Sequence, residues 1–453
     1  MTGAPGRAQL TRPASAALLL GAVLNPINSS LIAVALIPIG LAFGVGPGVT
    51  AWLVTSLYLT TAIGQPVAGY LIDRFGARPL FMAGTVLVGI GGLLGAIAPD
   101  IPTLIGARVV IGVGTCAGYP AAMWLIHTTR VEGEPPARQL LTALAIAGQV
   151  SAVVGPAFGG LLVGIGGWRA IFLVNLPLAV GTFALASVCL PRINVLRLGP
   201  TRIDGIGILI FSLMLAAFVG LLMGAQPTLL MLVALAGTAI LLVRRELRAP
   251  DPFLDVRLVR SNVPLAATFL RQLLAFSAFY SFYYGYVQWL EEGRALAPAI
   301  AGLVVLPMAA SAVLMALLSG RFLRFGISIS FGTAALIVAC LALLGLGGES
   351  GFGALVFTAI LFGVPQGLNG LANQMALYHQ ADPAVIGSAA GVLRTCSYLG
   401  ALVASAAVAA AFRDGAGTLS LHALAWVMLG FGVALAVVVV LDRSIRVSAP
   451  ARV

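Results

Sequence analysis

Three amides, Gln366, Asn369 and Asn373, recur at i, i+3 and i+7 inside an otherwise apolar stretch, which puts them on one face of a helix. A second stretch presents Tyr280, Tyr284 and Gln288 at four-residue spacing, with Phe279, Phe282 and Tyr283 beside them. Amides that donate and accept, next to aromatic faces, suit bulky, partly apolar and cationic ligands. Helix packing or an aromatic belt at a membrane interface is the structural alternative. Asn25, Asn28, Gln149 and Arg271 lie in similarly apolar surroundings and join them as candidate cavity residues. This is the chemistry of binding, not of catalysis. The sequence has no His-Glu metal spacing, nucleophile elbow or phosphate-binding Gly-Lys loop. Cys116, Cys189, Cys340 and Cys396 stand far apart without CxxC spacing and read as small hydrophobes. No catalytic residue, metal ligand or organic cofactor is expected.

The elements that hold these residues must be membrane helices. Of 453 residues, 60% are hydrophobic and 9% charged, with a mean hydropathy of +1.07, whereas soluble domains carry about 25% charged residues. Apolar runs of about 20 residues, long enough to cross ~30 Å of hydrocarbon, recur from end to end. Fourteen spans are expected, among them 14–41, 50–72, 102–126, 139–164, 205–224, 227–244, 264–289, 351–376, 387–412 and 421–441. The net charge of +11 would suggest nucleic acid in a soluble chain. Here every positive charge is an arginine, and most of the arginines sit in short loops at the ends of apolar runs. Under a fourteen-span assignment most of them fall on one side, which the positive-inside rule makes the cytoplasm, together with both termini. The lack of lysine in an Ala- and Gly-rich chain points to a GC-rich, bacterial coding sequence.

The interior holds a weak repeat. Arg74-Phe75-Gly76 follows the second span and Arg324-Phe325-Gly326 follows the tenth, so two six-helix units are expected, at 1–190 and 264–453. The segment 191–263 then holds two inserted spans with cytoplasmic linkers. Gly69, Asp73, Arg74, Gly76 and Arg78 resemble the loop signature of the major facilitator superfamily, whose halves are parallel repeats around a midplane site. Arg108 with Gly112 and Gly114 is similar to the family's arginine motif. Gly148, Gly155, Pro156, Gly159 and Gly160 resemble its exporter motif. The run Trp168-Arg169-Ala-Ile-Phe172-Leu-Val-Asn175-Leu-Pro177, with the two extra spans, resembles the fourteen-span drug:proton antiporter branch.

That resemblance implies an all-α polytopic membrane protein of the major facilitator fold. It implies export of small amphipathic or drug-like molecules by alternating access in exchange for protons. A multi-pass location in the inner, or cytoplasmic, membrane follows, with no nucleic-acid partner. It leaves room for a periplasmic adaptor protein; otherwise the chain is expected to act as a monomer in the lipid bilayer. Asp73 would be a conformational latch, pairing with Arg74 or Arg78 or accepting from a neighbouring helix N-terminus. Arg108 should face protein or a wet cavity, and Gly155-Pro156 should bend its helix as a gate.

The sequence departs from the family where an acid is usual in span one: Asn28 stands there and cannot exchange a proton near neutral pH. None of the fourteen acidic residues falls clearly at midmembrane. Asp73, Asp204 and Glu246 lie near cytoplasmic span ends, and Glu291 and Glu292 close span nine. A facilitator or importer without proton coupling, and a non-transporting membrane sensor, are the competing functions.

Overall fold

In the computed structural model, residues 11–129, 136–193, 203–222, 226–249, 252–254, 262–296, 298–322, 324–413, 415–442 and 444 are described. Among them there is no strand, and the regular structure is helical. In chain order the helices are α1 (Arg12–Leu31), α2 (Leu36–Phe43), α3 (Pro47–Phe75), α4 (Ala77–Ala96), α5 (Ile101–Thr115), α6 (Gly118–Thr128), α7 (Pro136–Gly166), α8 (Arg169–Leu173) and α9 (Asn175–Cys189). There follow α10 (Gly205–Leu222), α11 (Thr228–Glu246), α12 (Val263–Gln288), α13 (Pro298–Phe322), α14 (Phe325–Leu344), α15 (Phe352–Gln380), α16 (Ile386–Ala411) and α17 (Thr418–Leu441). A 3-10 turn, Ile32–Ala35, joins α1 to α2 in one span, Arg12–Phe43. Twelve helices among the described residues are long and apolar enough to cross a membrane. Both α10 and α11 are among them, while α3 and α7 are further helices of 29 and 31 residues.

Helix ends follow local chemistry. Thr11 caps α1, its hydroxyl accepting from Ala14 N–H, with Pro13 in the first turn. Asp100 caps α5 by accepting from Thr103 N–H at 2.8 Å. Hydrogen bonds from the Thr103 hydroxyl and backbone hold its carboxyl below the usual value. Gly76 ends α3 at φ 85°, a conformation that disfavours a side chain.

The chain divides into two compact units. The first comprises Met1–Ala216, Ala236–Asp255 and Ala381–Thr395. In it α4 packs on α5 and α9, α1 on α7, and α3 on α5. The α4–α5 contact is a small-residue seam: a β-carbon on Gly114 would lie 2.7 Å from the Gly84 carbonyl oxygen and from Val88 N. In lipid, where apolar burial does not drive helices together, such close backbone approach supplies the packing. One core of this unit gathers Leu31, Ile39, Leu53, Ile101, Trp168 and Phe172. Trp168 meets Phe172 edge-on at 6.2 Å, and Arg169 lies 4.2 Å over its ring.

The second unit comprises Ala217–Leu235, Val256–Gln380 and Cys396–Val453. Here α15 packs on α13 and α14, and α17 on α12 and α14. Its core centres on Phe282, Tyr286, Trp289 and Phe362, with Phe282 and Phe362 stacked at 3.8 Å. Outward faces of the helices stay apolar: Ile37, Leu41, Val188 and Leu419 are 76–85% exposed, as a lipid-facing surface requires.

Candidate functional site

In the first unit, Asp73 near the end of α3 sits on the N-terminus of α16. Its Oδ1 accepts from Gly387 N–H at 2.9 Å, and its Oδ2 accepts from Ser388 N–H at 2.8 Å and the Ser388 hydroxyl at 2.7 Å. Those backbone donors have no partner within their own helix, and the helix dipole favours an anion there. The approach depends on glycine on both sides. A β-carbon on Gly69 would overlap the Gly387 carbonyl, and one on Gly387 would meet Asp73 Oδ1 at 2.7 Å and the Gly69 oxygen at 2.9 Å. Arg74 stacks 3.5 Å over the Tyr70 ring, and Arg78 donates to the Ser187 carbonyl at 2.5 Å. This helix-terminus contact is one of the alternatives the sequence left open for Asp73.

Arg108 on α5 is 1% exposed. It donates through Nε to the Leu53 carbonyl at 2.9 Å and through Nη1 to the Asn28 carbonyl at 3.1 Å, while Nη2 has no described acceptor. Asn28 is also buried; its amide donates to Leu24 O at 2.9 Å and Asn175 Oδ1 at 2.7 Å. Asn25 donates to the Thr115 hydroxyl at 2.8 Å. Gly112 lies where a β-carbon would press on Thr60 at 2.9 Å. The span-one amides are thus held in a polar seam with Arg108.

On α7, Gly155 and Gly159 face α1. A β-carbon on Gly155 would overlap the Ser30 side chain, and one on Gly159 would meet Val34 Cγ2 at 2.8 Å. Ser30 in turn donates to the Ser151 carbonyl at 3.1 Å. Gly148 and Gly160 have open space where a β-carbon would go. The side chains of Gln149 and Pro156 lie outside the described residues.

In the second unit the three amides separate into two roles. Gln366 and Asn369 line a small cavity with Ala275, Phe279, Leu336, Phe362 and Pro365, and Asn369 Oδ1 has no described partner. Asn373 belongs to a buried network around Arg271. That guanidinium donates to Asp442 Oδ2, to the Thr268 hydroxyl at 2.5 Å and to Asn373 Oδ1 at 3.4 Å. Asn373 then donates to Gln272 at 3.0 Å, and Gln272 to the Ser397 hydroxyl at 2.8 Å. Tyr280 and Tyr284 are half-buried and stacked at 5.4 Å, outside the cavity lining. Gln288 donates to Glu292 at 3.1 Å in an exposed position.

Sequence reasoning missed Asp442, and it named Asn175 only within the Trp168 to Pro177 run, without its partner Asn28. Asp442 is one residue beyond an apolar run and reads as interfacial. The buried Arg271 was the available signal, since a charge held among apolar residues needs a partner.

A family model described as Major Facilitator Superfamily matches residues 18–405. The chain is 30% identical over 396 residues to an uncharacterized MFS-type transporter, YwoD, of Bacillus subtilis, covering 85% of this chain and 86% of that one. It is 29% identical over 313 residues to a multidrug resistance protein B homolog of Mycobacterium tuberculosis, covering 67% of this chain and 57% of that one. Among solved structures, the human organic anion transporter MFSD10 (TETRAN) superposes with a TM-score of 0.68 at 15% identity, over 94% of this chain and 99% of that one.

Proposed function

Because the chain belongs to the Major Facilitator Superfamily, and is therefore a membrane transporter and not an enzyme, we propose that it exports small amphipathic, drug-like molecules by alternating access in exchange for protons. Counting α3 and α7 with the twelve apolar spans gives fourteen crossings. We place six in 1–190, two inserted in 191–263 and six in 264–453, with both termini in the cytoplasm of a bacterial inner membrane. The chain works as a monomer on this reading, and a periplasmic adaptor is the one protein partner it admits.

The observation that carries the reading is Asp73 on the α16 N-terminus. Three hydrogen bonds to one carboxylate, closed by face-to-face glycines, form a contact that is made or absent with little between. Asp73 and the segment it grips, Ala381–Thr395, fall in the same compact unit. A latch of this kind can hold one state of a two-state cycle. Export is supported by the exporter-type glycines of α7 packed on α1 beside Ser30, and by the name of the mycobacterial relative. The cavity beside Gln366, Asn369 and Phe279 offers amide and aromatic contacts to a ligand.

Inside-out vesicles carrying the protein, given an imposed pH gradient and a panel of lipophilic cations and metabolites, test this. Accumulation that collapses with the gradient is expected. Movement only down the solute's own gradient would favour a facilitator, a reading for which the amide at Asn28, bound to Leu24 and Asn175, is the specific observation. Binding without flux would favour a sensor.

A further inference from the structure

Asp204 and Glu246 stand outside every site described above, yet both are buried: Asp204 is 6% exposed and Glu246 0%. Asp204 precedes α10 and Glu246 ends α11. One oxygen of each is fully engaged. Asp204 Oδ1 accepts from Gly207 N–H at 2.9 Å, as a helix cap does, and from Arg245 Nη2 at 2.9 Å. Glu246 Oε2 accepts from Leu254 N–H at 3.0 Å. The other oxygens, Asp204 Oδ2 and Glu246 Oε1, are buried with no hydrogen-bond partner among the described residues.

Gly207 shows where those two oxygens point. Each lies 2.5 Å from the position a β-carbon on Gly207 would take, so they face each other across the absent side chain at no more than twice that distance. Two ionised carboxylates do not share a dry pocket. A proton held between such a pair relieves the repulsion, one oxygen donating and the other accepting.

The charged groups described around the pair are few. Arg245 neutralises one carboxylate. On α3, the Tyr70 hydroxyl accepts from Asp204 N–H at 3.1 Å, and Arg74 lies 3.5 Å over the Tyr70 ring. Arg244 of α11 and Arg248 just after it are exposed. The segment after α11 contributes Phe253, which packs on Tyr70 and Phe211. Among the described residues, the Arg245–Asp204 ion pair offsets one of the two carboxylate charges. A metal ion fits poorly: no cluster of three or more His, Cys, Asp or Glu that could hold one exists among the described residues, and divalent ions ask for about six oxygen ligands.

We propose that Asp204 and Glu246 form a proton-binding site, in which a single proton taken from water bridges Oδ2 and Oε1 at neutral pH. The site lies on the helices expected to be inserted between the halves, and its existence does not depend on the exporter reading.

Infrared spectra of the full chain in lipid, recorded from about pH 5 to 9, test it, because an ordinary carboxyl has lost its proton by about pH 5. The expected result is a protonated-carboxyl C=O band at neutral pH that shifts in deuterated water. It should be lost in Asp204→Asn and in Glu246→Gln, each of which supplies an amide donor in place of the shared proton and so preserves the fold. Gly207→Ala, which drives a methyl group between the oxygens, should move or abolish the band. A wild-type spectrum without the band, a band that survives both amide variants, or one displaced by sodium but not by choline would overturn the proposal. The transport pH profile of Glu246→Gln is a separate readout. If the band behaves as expected while that profile is unchanged, the proton site stands and lies outside the transport cycle.

Discussion

Replacing Asp73 by Asn removes a charge from the N-terminus of α16 while keeping the side chain's shape. The carboxylate accepts three hydrogen bonds at 2.7–2.9 Å, and bonds to a charged acceptor are worth about 1.5–3 kcal/mol each. Asn keeps one oxygen and turns its NH2 toward a donor, so one backbone N–H loses its acceptor and the other keeps only a neutral one. Asp73 is 6% exposed, so solvent screens little of this. The net loss is about 2–3 kcal/mol, equivalent to a 30- to 150-fold shift away from the latched state at about 1.4 kcal/mol per tenfold. Hydrogen exchange in lipid nanodiscs reads it directly. The amides of Gly387 and Ser388, the first of a helix, have no intrahelical acceptor and owe their protection to Asp73. Their exchange should accelerate by that factor while α4 and α5 are unchanged, and export should slow. Unchanged protection at those two amides would refute the latch.

Gly155→Ala places a methyl group on Ser30 and should lower stability by about 1–3 kcal/mol, as overpacking does, with loss of transport. Gly160→Ala, in open space five residues on, should leave thermal unfolding in detergent and flux near wild type. Arg271→Met strands the buried Asp442 carboxylate and should destabilise the protein by about 3–5 kcal/mol, with Arg271→Met/Asp442→Asn recovering part of it; additive losses in a double-mutant cycle would count against the pairing. Asn28→Asp puts a titratable group beside Arg108, Leu24 O and Asn175, so the pH dependence of transport should steepen. A superimposable profile would remove span one from proton coupling.

Hydropathy made much of the fold legible, because crossing a bilayer imposes length and composition on each span. The first helix expected over 14–41 lies within Arg12–Phe43, and the pair expected at 205–224 and 227–244 corresponds to Gly205–Leu222 and Thr228–Glu246. Helical spacing put the amides of α15 on one face, but it carried no information on what they meet. Gln366 and Asn369 reach a cavity, whereas Asn373 is committed to Gln272 and Arg271. Contacts between distant segments left little trace in the sequence: Asn28 with Asn175, Arg271 with Asp442, and the facing oxygens of Asp204 and Glu246. A one-dimensional reading placed those acids at span ends, where exposure is the default, and burial there is a tertiary property.

The most direct test of coupled export is a simultaneous record of lumenal pH and solute in proteoliposomes of purified protein. Each solute moving one way should drive protons the other way, and Asp73→Asn should slow both together. Solute flux with no proton movement, or with protons travelling alongside it, would contradict it.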